Sequence, residues 1–128
     1  MRQSRYRLAM IAAAALPGLL APAAAHHGGA IEFQTRIDGP LTGTVTEFAF
    51  RFPHVVIYLD VASEGGQKQR WAMNTRWTPT ILRRHGWTRH SVKPGDTVTV
   101  TYRPHLSAPT VGDMLTIAVN REPLPLEF

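Results

Sequence analysis

Six histidines and no cysteine set the chemistry open to this sequence. The histidines are His26, His27, His54, His85, His90 and His105. A ring nitrogen beside a free amine is a copper ligand set, because neutral imidazole and amine nitrogens suit Cu(II). His26 and His27 acquire that amine only if the chain is cut just before them. A cut after Ala25 makes the amine and ring of His26 the first ligands, with His54 or His105 to complete the set. A cut after Ala24 instead makes Ala25-His26-His27 a square-planar copper or nickel site. Copper is therefore the one candidate cofactor, weighed against a plain solvated end kept loose by Gly28-Gly29. Zinc catalysis is not expected, since no H-E-x-x-H or cysteine-histidine spacing is present. Thiol catalysis and disulfides are excluded outright.

The cut is itself legible. Arg2, Arg5 and Arg7 form a positive head, Leu8 to Leu20 an apolar run, and Ala23-Ala24-Ala25 a small-x-small cleavage pattern. Residues 1–25 thus read as a cleaved secretory signal, which places the protein in the periplasm or outside the cell. Pro17-Gly18 interrupts the run, which is shorter than the roughly 20 residues that span a bilayer, so no membrane anchor is expected. Removing the three leader arginines lowers the formal net charge from +5 to +2. So mild a surplus argues against a dedicated nucleic-acid binder. Residues 26–128 suffice for one small domain with a single core, preceded by a flexible segment over 26–40.

The elements that must position these residues are mostly strands. Apolar positions at Leu41 and Val45 shift face to Phe48, Phe50 and Phe52, which predicts a bulge near Thr46-Glu47 eased by Gly43. Val55, Ile57, Leu59 and Val61 alternate with polar neighbours, and after Glu64-Gly65-Gly66 a second strand alternates Gln69, Trp71 and Met73 with Arg70, Ala72 and Asn74. A three-residue glycine loop sets Ser63 against Gln67 and hence Asp60 against Arg70. Trp71 then faces Leu59 and is expected to fill the interior. Thr78-Pro79 predicts a helix start and Gly86 its end. Lys93-Pro94-Gly95-Asp96 is a turn into Val98, Val100 and Tyr102, and a loop over 104–112 leads to a last strand presenting Leu115, Ile117 and Val119. The order β-β-β-α-β-β predicts an all-β protein with one short helix, a small five-stranded OB-fold-like Greek-key barrel, with a small sandwich as alternative.

On such a barrel His54 falls in the loop between the first two strands and His105 in the loop between the last two, flanking the usual ligand face. Tyr58, Arg70 and Asn74 project from that face. These five residues form the candidate ligand site, and the ordinary reading beside it is a solvated strand surface with a capping histidine. Arg76, Arg83, Arg84 and Arg89 form a basic run that suits a solvated helix end as well as an anionic partner. No paired carboxylates, G-x-S-x-G or phosphate-binding glycine loop occurs, so a non-enzymatic module binding a protein or small ligand is expected.

His26-His27, Leu41-Thr42-Gly43-Thr44-Val45, Phe52-Pro53-His54, Trp71, and Gly86-Trp87-Thr88-Arg89 running into Lys93-Pro94-Gly95-Asp96 together resemble DUF6152, an exported bacterial family of unknown function. The resemblance spans nearly all of the chain after the leader and implies no activity. Two positions depart from the family pattern. Phe52 stands where asparagine is usual before Pro-His, and Asn74 where an acidic residue follows the tryptophan.

Overall fold

The computed structural model describes residues 32–128. The leader and the His26-His27 pair lie outside the described residues. Seven elements follow in order: β1 (Asp38–Ala49), β2 (Val56–Ala62), β3 (Lys68–Asn74), α1 (Pro79–Arg84), β4 (Thr97–Pro104), β5 (Val111–Val119) and β6 (Glu122–Leu124). The sheet order is β3-β2-β1-β4-β5-β6, and a parallel pairing of β3 with β5 closes the first five strands into a barrel. This is the Greek-key closure of the OB-fold, and the sandwich alternative falls with it. The short β6 is an addition that hangs on β5 as an edge strand.

Strand β1 serves both halves of the barrel. Its first half pairs with β4 and its second with β2, so it must bend. Thr46 is the bulge: Val45 pairs with Leu59 and Glu47 with Tyr58, leaving no partner between them. Three residues earlier, a Cβ at Gly43 would lie 2.9 Å from the Asp60 carbonyl oxygen, so the tightest part of the bend requires glycine. Phe48 and Phe50 are half-buried, but Phe52, expected on their strand face, has left the strand and is 64 % exposed.

The β2–β3 hairpin has the expected register, with Asp60 opposite Arg70 and Leu59 opposite Trp71. Two side chains differ from expectation. Arg70 turns from Asp60 to Glu47 on β1, 3.6 Å away. Trp71 is half-buried rather than interior. The closing strand first meets β3 at Ala72, paired with Val111, so Trp71 sits just past the seam and its ring rests at the barrel rim. Ile57, Leu59, Met73, Val98 and Val100 fill the middle instead.

Helix α1 is capped as the sequence requires: the Thr78 hydroxyl accepts from the Ile81 N–H, Pro79 opens the first turn, and Gly86 leaves at a φ of +86°. It delivers Leu82 and, just beyond its end, Trp87 into the core, both essentially without exposure. A second bulge displaces the expected face of β5. Thr101 pairs with Thr116 but Tyr102 with Met114, so Leu115 is squeezed out and Met114 points inward with Ile117 and Val119. The segment ahead of β1, expected to be flexible up to residue 40, is tied down from Glu32 onward: Leu106 N–H donates to the Glu32 carbonyl and Gln34 N–H to that of Pro104. Among the described residues no helix is long and apolar enough to cross a membrane.

Candidate functional site

The residues singled out on the outer face do not form one site. Tyr58 on β2 and Arg70 on β3 meet, with the guanidinium carbon 5.0 Å from the ring centroid. Glu47 neutralises that cation and also faces Arg51 at 3.7 Å, so this patch is flat and internally paired. Asn74 lies at the far end of β3, in register with Val56 and Asp113. His54 is exposed, and no hydrogen bond or ring contact joins it to His105.

His105 is committed to its own loop. Its Nδ1 accepts from the N–H groups of Ser107 at 3.1 Å and Ala108 at 3.0 Å, and its ring stands edge-on to Phe33. A neutral ring accepting at Nδ1 carries its proton on Nε2. Neither nitrogen then offers a lone pair to a metal, so a copper role for His105 would require breaking two loop hydrogen bonds. Among the described residues no group of three or more His, Asp or Glu side chains is placed to hold a metal ion.

What the fold does build around His105 is a cleft of about 340 Å³. Its floor is aromatic: the rings of Trp71 and Tyr102 meet edge to face, centroids 5.6 Å apart. Gly112 makes room for this pair, because a Cβ there would come within 2.5 Å of Tyr102 Cδ2. One wall is the lead-in segment, where Arg36 holds Asp38 through two hydrogen bonds of 3.1 and 3.2 Å. The other wall is the His105–Pro109 loop, with Leu106 60 % exposed at its lip. Burial, and then the nearby Asp38 carboxylate, push the Tyr102 hydroxyl up from its ordinary value, with Arg36 opposing. The phenol therefore stays neutral and able to donate. Trp71 Nε1 is buried with no hydrogen-bond partner. A buried donor left unpaired is costly.

Of these residues only His105 belonged to the site expected from sequence. Gln34, Arg36, Asp38 and Tyr102 gave no local signal, being parts of separate segments that closure of the barrel brings together. Arg103 and Asp113 were likewise unmarked. The buried Asp113 carboxylate accepts from both Arg76 and Arg103, which ties the loop after β3 to the β4–β5 pair.

The family model of DUF6152, a family of unknown function, matches residues 15–114. The chain belongs to this family. The DUF6152 match contains every residue lining the cleft and stops short of β6 and the residues after it. No curated protein matches the sequence. Among solved structures, the mitochondrial single-stranded DNA binding protein Rim1 of S. cerevisiae is similar at 14 % identity with a TM-score of 0.47, over 70 % of this chain and 96 % of that one.

Proposed function

We propose that this DUF6152 member is a non-catalytic binding module, exported by its leader, that takes a small uncharged ring-shaped ligand in the Trp71–Tyr102 cleft. The observation that carries the reading is the floor of paired Trp71 and Tyr102 rings in the cleft. A ring packs on such a floor. The volume, about 340 Å³, suits a compact ligand. Binding rather than turnover is favoured by the state of the polar groups, since Arg36 is held by Asp38 and His105 Nδ1 by its loop. Glu47 beside Arg70 speaks against nucleic acid on the outer strand face.

Titration with uncharged monosaccharides and uncharged N-heterocycles, followed by tryptophan emission, tests this reading. Saturable quenching is expected for one of the two classes, and calorimetry should show affinity reduced on the order of 10-fold in Trp71→Ala, which removes half of the aromatic floor. If neither class quenches at millimolar concentration, the cleft is not a ligand site. Mass spectrometry of the exported chain checks the leader, for which a start at His26 or Ala25 is expected.

A further inference from the structure

The segment from Glu122 to Phe128 is held as a peptide ligand is held. Only three residues of it pair with β5, Glu122 with Val119, Pro123 with Ala118 and Leu124 with Ile117. Beyond them the chain runs over a groove of aromatic side chains around the end of α1. Trp87 Nε1 donates to the Pro125 carbonyl and Trp77 Nε1 to that of Leu126. Leu126 sinks to 6 % exposure, and the Phe128 ring stacks on Trp77 and on His85. Ring N–H donors reading successive carbonyls of an extended segment, with prolines that keep it extended, is the chemistry by which aromatic grooves recognise proline-bearing peptides.

The turn that folds this segment back is strained. Asn120 and Arg121 are the two central residues of the β5–β6 hairpin and both have positive φ, 50° and 75°. Asparagine tolerates the left-handed region, but arginine there carries a Cβ–carbonyl clash that glycine would not. Opening the turn into a continuous strand removes the clash, gives up the Asn120 hydrogen bonds to Asp96 and Thr97, and sends the segment away from its own barrel.

We propose that residues 122–128 exchange between two copies of this chain, each segment lying in the tryptophan groove of the other. Every groove contact is kept in the exchanged form, so the balance is set at the two hinges, where release of the Arg121 strain opposes loss of the Asn120 bonds. The partner is thus a second copy, because its segment is the one peptide already shown to fit.

Size-exclusion chromatography of the full chain with light scattering, from micromolar to millimolar concentration, tests the proposal. A dimer fraction that rises with concentration is expected. In Arg121→Gly the Asn-Gly turn is unstrained, so the dimer dissociation constant should rise on the order of 10-fold or more. A chain that stays monomeric over this range overturns the proposal. So does a dimer whose dissociation constant Arg121→Gly leaves unchanged, since that dimer forms through another face.

Discussion

Asp113 shows how much a single residue of this small barrel carries. Its side chain is 5 % exposed and is shared by two guanidiniums, those of Arg76 and Arg103. Removing the charge leaves both cations facing a neutral amide, and Arg103 Nε is already buried without a partner. Asp113→Asn is expected to cost about 1–3 kcal/mol, read as a lowered urea midpoint, because both arginines still reach solvent in part. The tryptophans differ in the same terms. Trp87 is 1 % exposed and its N–H is bonded, so Trp87→Ala should cost about 3–5 kcal/mol and leave little folded protein. Trp71 sits at the rim with an unpaired N–H, and Trp71→Ala should cost only about 1–2 kcal/mol. Thermal melts of the two variants check the order, and a reversal would place Trp71 in the core.

At the scale of elements, the turns at one end of the barrel are tied through one carboxylate. In the Lys93–Asp96 turn, Asp96 accepts from the Asn120 side-chain amide at 3.0 Å and from the Lys93 backbone N–H at 2.8 Å. These bonds, that from Asn120 the larger cause, hold the Asp96 carboxyl below its ordinary value. A carboxyl lowered on folding stabilises the protein above its unfolded value, and the gain is lost as pH falls through the folded one. The acid limb of the stability curve below about pH 4 should therefore be flatter in Asp96→Asn than in the unaltered chain. Urea midpoints measured between about pH 5 and pH 2 check this, and equal slopes would show that Asp96 contributes nothing to the limb.

For the whole molecule, closure is the organising fact. The β3–β5 pairing joins residues far apart in sequence, and no cysteine is present to share the work of holding them. Among the described residues one core, sealed at one end by α1 and Trp87, unites the five barrel strands, so these strands should melt together. Tryptophan emission and far-ultraviolet circular dichroism should therefore report a single coincident urea transition, and reducing agent should not move it. Two separated transitions would show that the helix end or the lead-in unfolds apart from the barrel.

Local patterns in the sequence determined the strands, the bulge at Thr46, the hairpin register and the capping of α1. Each depends on alternation, a turn glycine or a cap within a few residues of itself. The DUF6152 resemblance was legible for the same reason, since its motifs are short and ordered. Tertiary structure alone decided where the inward faces depart from simple alternation. The bulge that expels Leu115 arises from register across β4, and Trp71 stops at the rim because β5 first reaches β3 one residue later. It also decided the site. His54 and His105 looked equivalent as loop histidines, but the backbone N–H groups of Ser107 and Ala108 occupy His105 Nδ1, and His54 lies exposed. Tyr102 and Trp71 read as strand residues, and the cleft over them exists because barrel closure and Gly112 set two distant rings in contact, with Arg36 and Asp38 as one wall. Contacts across a closed sheet depend on register and curvature summed over the whole chain, and no local stretch of sequence encodes that sum.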